Sequence, residues 1–161
     1  MNESTRAFRD HLERVLDWED AHVGFDKAVD GIPPDKRGAR PAGFEHSAWQ
    51  LLEHIRIAQE DILDFCLNPA YKEMHWPDDY WPESPVPRDA ADWDESIASY
   101  RRDRDRLKQL AEDASVDLLA KIPHGSGQTC LRELLLVADH NSYHVGQIVI
   151  VRRALGIWGG S

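Results

Sequence analysis

Residues 128–155 read QTCLRELLLVADHNSYHVGQIVIVRRAL, and this stretch decides the fold. Leu131, Leu134, Leu135, Leu136, Val137, Val145, Ile148, Val149, Ile150 and Val151 follow one another without a proline, and Gly156 closes the run. A segment of this length and helical period is a helix. One so apolar around its circumference sits at the centre of a bundle or against a second subunit.

Three further helical segments precede it. The first runs from about Ser4 to Val29, with Phe8, Leu12, Val15, Trp18, His22 and Phe25 on one stripe, and stops at Gly31 and Pro33-Pro34. The second spans about Phe44 to Leu67, lined by Ala48, Leu51, Leu52, Ile55, Ile62 and Phe65, and Asn68-Pro69 ends it. The third lies between about Asp92 and Asp113, where Trp93, Ile97, Tyr100, Leu107 and Leu110 oppose a dense charged face. No alternating strand pattern or internal repeat competes. The expectation is an all-α four-helix bundle, one domain over residues 1–161.

Connection lengths order the helices. Those joining the first to the second and the third to the fourth suit antiparallel neighbours, whereas residues 68–91 can run the length of a bundle and return the third helix parallel to the second. The predicted course is up-down-down-up. The long crossover carries five prolines, and Tyr71, Trp76, Tyr80 and Trp81 as well, so it is expected to pack as an ordered strap over one end of the bundle.

Composition removes several classes of function. A net charge of −10 opposes nucleic-acid binding, which needs a basic footprint. The basic run Arg101, Arg102, Arg104, Arg106 and Lys108 alternates with Asp103 and Asp105 and reads as a self-paired, solvated face. No apolar run approaches a bilayer span, and residues 1–10 are too polar for a secretory signal, so a cytoplasmic address is expected. Cys66 and Cys130 read as small buried hydrophobes, with a reactive role open to Cys130 near a helix N-terminus.

The chemistry lies in Asp139-His-Asn-Ser-Tyr-His144. His140 and His144 are four apart, about 40° around a helix axis, and can reach one ion. Both share the apolar stripe with Leu136, Val137 and Val151, where unpartnered imidazoles are costly. On the second helix His54 shares a face with Leu51, Ile57, Ala58 and Phe65. It lies 12 residues before Cys66, while His140 lies 12 after Gln128. In antiparallel helices with level ends both stand about 18 Å from that end. His54, His140 and His144 are therefore the candidate ligands of one divalent metal, with a position left open. Gln147 and Asp61 read either as residues orienting the ligands or as polar edges of the stripe. His22, between Trp18 and Phe25, reads first as a core histidine, then as an orienting donor or an extra ligand. His46 lies near a helix start, and His11, His75 and His124 have no constellation around them.

With these residues in view, His46-Ser-Ala-Trp-Gln-Leu-Leu-Glu-His54 through Ile62, and Asp139 through Ile148, resemble the DinB-like superfamily of metal-binding four-helix bundles. The likeness extends to Trp76-Pro77, Tyr80-Trp81-Pro82 and the terminal Leu155-Gly156-Ile157-Trp158. It implies one ligand on the second helix and two on the fourth, at His54, His140 and His144, and an up-down-down-up homodimer. Members with assigned chemistry look like metal-dependent transferases of low-molecular-weight thiols such as bacillithiol and glutathione, or thiol-dependent isomerases.

The expected function is activation of a low-molecular-weight thiol or water at the metal against a small electrophile, in stress or detoxification chemistry. Three imidazoles suit zinc first, and also nickel, iron or copper. A small-molecule substrate, no nucleic acid and no membrane complete the expectation. The alternatives are a metal-stabilised binding protein without turnover, its shell closed by a fourth side chain such as His22, and a metal or redox sensor using Cys66 and Cys130.

Overall fold

The computed structural model describes residues 2–159. Among them the chain is all-helical and forms no strand; an isolated bridge joins Lys121 and Thr129. Five α-helices follow in order: α1 (Glu3–Val15), α2 (Phe25–Val29), α3 (Ala48–Leu67), α4 (Ala90–Glu112) and α5 (Cys130–Ala154). None is long and apolar enough to cross a membrane.

The helices start where local chemistry supplies a cap. Ser47 accepts from the Gln50 amide while the Gln50 side chain accepts from the Ser47 amide, which fixes the first turn of α3 four residues later than periodicity alone predicts. Asn2, Asp89 and Thr129 cap α1, α4 and α5 more simply, each side chain accepting one backbone amide of the first turn.

The expected first helix, residues 4–29, is two helices. After Val15 come Asp17, Glu19 and Asp20, carboxylates at the end of a helix where the macrodipole disfavours negative charge. The chain leaves the helix there and restarts at Phe25 behind Gly24. The buried stripe is also displaced: Arg9, Leu12 and Leu16 face inward, while Phe8 and Trp18 are about half exposed. Asp26 then meets Arg101 and Arg104, and Arg152 donates to the Lys27 and Ala28 carbonyls, so α2 is held between α4 and α5.

Helix α3 packs against both α4 and α5, and the main partner of α1 is α4. The pairings expected from short connections, first with second and third with fourth, are thus not the main ones. Two apolar clusters result. One gathers Phe25, Val29, Trp49, Leu52, Ile55, Trp93 and Ile148; the other gathers Leu12, Leu16, Leu63, Leu107, Leu118, Leu134 and Val137. Between them lies a polar layer. Gln59 donates to the Tyr100 carbonyl at 2.8 Å, and Asn141 donates to Gln59 Oε1 at 3.0 Å and to the Tyr100 hydroxyl at 3.2 Å. All three residues are buried, so each bond offsets a desolvation cost.

The 68–91 segment lies along α3 rather than over an end of the molecule. Tyr71 and Tyr80 reach Asp61, the Tyr80 carbonyl reaches His54, the Ser84 carbonyl takes the Trp49 indole N–H, and the Pro85 carbonyl takes the Ser47 hydroxyl. These contacts pair part-buried carbonyls and hydroxyls of the segment with α3 and its cap.

Candidate metal centre

His54, His140 and His144 come together, each offering one ring nitrogen within 4.8 Å of the others. His54 is buried on α3; on α5 His144 is buried and His140 half-buried. The register explains the meeting. Cys66 and Cys130 face each other. His54 lies 12 residues before Cys66, while His140 and His144 lie 10 and 14 after Cys130. The α3 ligand thus stands level with the midpoint of the α5 pair.

Each ring is oriented through Nδ1. His54 Nδ1 donates to the Tyr80 carbonyl at 2.8 Å, and His144 Nδ1 to Gln147 Oε1 at 2.7 Å. His140 Nδ1 makes a longer 3.5 Å contact with Asn141 Oδ1, an oxygen left free because the Asn141 amide serves Gln59 and Tyr100. With the proton on Nδ1, the Nε2 lone pair is available for a metal. The Nε2 atoms of His54 and His140 face each other at 3.1 Å. Two lone pairs so close repel unless a proton or cation lies between them, and a divalent ion suits that donor set.

Burial favours the neutral rings. It lowers the pKa of His54 and His140, and burial followed by neighbouring His140 brings His144 to about 4. Neutral imidazole is the form that binds metal.

Trp81 completes the wall. Its ring stacks on His54, centroids 4.0 Å apart, and His46 stacks on Trp81 at the same distance. A cavity of about 550 Å³ opens beside His140, with Asp61, Phe65, Tyr71, Trp76 and Tyr80 in its lining. That volume suits a small molecule.

The sequence model of the DinB superfamily matches residues 17–148. The chain belongs to that superfamily. Comparison with curated proteins and with solved structures gives no match. In this DinB-superfamily chain, membership and the three neighbouring histidines together suggest metal binding.

The remaining candidates divide. Gln147 orients the His144 ring rather than merely edging the stripe. Asp61 makes no hydrogen bond to a histidine among the described residues; it receives the hydroxyls of Tyr71 and Tyr80, and Tyr80 in turn holds His54. His22 is not a core residue: the break after α1 leaves it exposed, with Nδ1 against the Val23 carbonyl. Cys130, at the first turn of α5, is buried, and burial raises its pKa, so desolvation outweighs the helix end. Cys66 is raised as well, by burial and then by Cys130. Trp81, Tyr80 and Asn141 were not singled out for the site. The sequence signal for Asn141 is its place beside His140, and for Tyr80 and Trp81 it is the aromatic-proline stretch of the crossover.

Proposed function

We propose that this protein binds one divalent transition metal through His54, His140 and His144, and that the centre acts on a small molecule entering beside His140. The observation that carries the reading is the convergence of Nε2 atoms whose opposite ring nitrogens are already occupied. Zinc suits three imidazoles, with nickel, iron and copper as alternatives. When bound, such an ion supplies Lewis acidity that makes a thiol or water nucleophilic at neutral pH.

The chain's own residues do the positioning. Tyr80 and Gln147 keep the Nδ1 protons of His54 and His144 on the outer side, directing both Nε2 atoms inward. Trp81 covers one face of His54 and excludes water from it. The cavity beside His140 supplies room for a thiol and an electrophile, which favours a transferase over a closed structural site. The helix-to-helix contacts support an up-down-down-up course with 68–91 as the crossover: Arg9 with Ala111 and Lys108 with Asp17 suit antiparallel α1 and α4, while Trp49 with Trp93 and Gln59 with Tyr100 suit parallel α3 and α4.

The test is calorimetric titration of the metal-free protein with zinc, nickel and cobalt, followed by turnover assays with a panel of thiols and electrophiles. One ion per chain is expected, with thiol consumption only in the loaded protein. Stoichiometric metal with neither binding nor turnover of any thiol would leave the binding-protein reading in its place.

A further inference from the structure

The cavity beside His140 has an unusual balance of charge. Asp61 and Glu73 lie in its lining, and neither forms a salt bridge among the described residues. Arg132, also in the lining, is already engaged by both carboxylate oxygens of Glu133. Asp61 receives hydrogen bonds from the hydroxyls of Tyr71 at 2.9 Å and Tyr80 at 2.6 Å, which orient it without neutralising it. Both phenols are pushed up, by burial and then by Asp61, and so remain donors.

The walls are aromatic. Phe65 and Tyr71 meet edge to face at 5.1 Å, and Trp76 lies 5.3 Å from Tyr80 and 6.4 Å from His54. Trp76 is 71% exposed, the most exposed of the large hydrophobic residues. Core packing does not account for an indole so open to solvent at the entrance of an acidic cavity. Aromatic faces beside uncompensated carboxylates are the chemistry that holds an organic cation.

We propose that this cavity selects small molecules carrying an ammonium-type cation, held by Asp61 and Glu73 against Trp76, Tyr71 and Tyr80, with the molecule's other end directed at the histidine triad. Asp61 follows His54 by seven residues, roughly 10 Å along α3. The fitting substrate therefore separates its cation from its metal-seeking group by several bonds. An anionic terminus meets two carboxylates and is rejected. The position of the metal-seeking end rests on the proposed function; recognition of the cation does not.

Two arms of one experiment separate these claims. In the first, cobalt-loaded protein is titrated with 6-aminohexanethiol, 6-mercaptohexanol, 6-mercaptohexanoate and the short cysteamine, following the thiolate-to-cobalt absorption band. The long amine is expected to bind about tenfold tighter than the alcohol. Cysteamine should lose that advantage and the carboxylate should bind weakest. Asp61→Asn and Glu73→Gln should each bring the amine-to-alcohol ratio toward one. Glu73 makes no hydrogen bond within the described residues, so its variant tests charge without disturbing the Tyr80–His54 link. In the second arm, metal-free protein is titrated with hexylammonium, hexanol and hexanoate, reading the Trp76 indole N–H by NMR with Trp76→Phe as assignment. The ammonium alone is expected to shift it. Equal affinity for the three long thiols, or a Trp76 resonance indifferent to hexylammonium, overturns cation selection even if metal binds. Failure to bind cobalt, with the indole shift retained, overturns the metal reading and leaves the cation site standing.

Discussion

The ring of Trp81 lies flat on the imidazole of His54, centroids 4.0 Å apart and planes within 3°. Stacking at that distance restricts the ring to one plane while the Tyr80 carbonyl fixes its rotation from the Nδ1 side. Replacing Trp81 by Leu is expected to lower metal affinity by about tenfold, and Trp81→Phe to restore most of it. Competition with a calibrated chelator measures both. Affinity unchanged in the leucine variant would mean that Tyr80 alone orients the ring.

His54 itself supplies the α3 ligand, and two histidines on one helix bind a divalent ion poorly without it. The His54→Ala variant should keep its helical circular dichroism and lose stoichiometric metal binding. Gln147→Leu should be milder, costing about 10- to 100-fold in affinity, because it removes only the acceptor of the His144 Nδ1 proton. Full stoichiometric binding by His54→Ala would refute the assigned triad.

Much of this centre was legible in the sequence because helical geometry is regular. The spacing of His140 and His144 follows from the helix alone, and His54 met them because both faces were apolar. What escaped depended on tertiary choices. Trp81 and Tyr80 occupy the crossover, whose path is set by which carbonyls must find donors along α3. The stripe through Phe8, Trp18 and His22 failed for a different reason. It assumed that one helix crosses Asp17, Glu19 and Asp20, whereas the chain leaves the helix there and restarts at Phe25.

Stability should depend on pH through the same rings. The ordinary histidine value is 6.5, whereas burial holds His144 at about 4 and lowers His54 and His140. Below pH 6.5 the unfolded chain takes up protons that the folded one still refuses. The stability of the metal-free protein is therefore expected to fall as pH drops from about 6.5 toward 4, and this contribution is fully present above that window. Bound metal competes with protons for the same nitrogens, so the stabilisation it adds should vanish over the same range. Melting temperatures of metal-free and zinc-loaded protein between pH 4 and 8 test both statements. A metal increment that persists undiminished at the acid end contradicts histidine ligation.

Arg9 offers a test of the fold that leaves the site alone. It is 7% exposed, and its guanidinium donates to the Ala111 carbonyl at 2.8 Å and the Val116 carbonyl at 2.5 Å. The first closes the C-terminal end of α4, where helix carbonyls have no partner of their own, and the second holds the turn that follows it. Arg9→Met is expected to cost about 2–3 kcal/mol in chemical denaturation, since charged donors to buried acceptors are removed. Metal affinity of the folded variant should be unchanged.

The circumference of α5 leads to the last expectation. Most of its apolar residues are buried, yet Leu135, Tyr143 and Ile150 are half exposed or more. At 100° per residue these three lie within about 80° of one another, with Gly146 and the exposed Asp139 between them, on a face beside that of the histidines. Exposed apolar side chains gathered on one side of a helix are a common seat of association. A homodimer built on it should elute in light scattering at twice the 18.4 kDa chain mass, and Ile150→Glu should return it to the monomer. Because the histidines point to the neighbouring face, the monomeric variant should retain one metal per chain. A wild-type mass of one chain at micromolar concentration would rule the pairing out. Loss of metal in Ile150→Glu would instead mean that association holds α5 in the register that brings His140 and His144 level with His54.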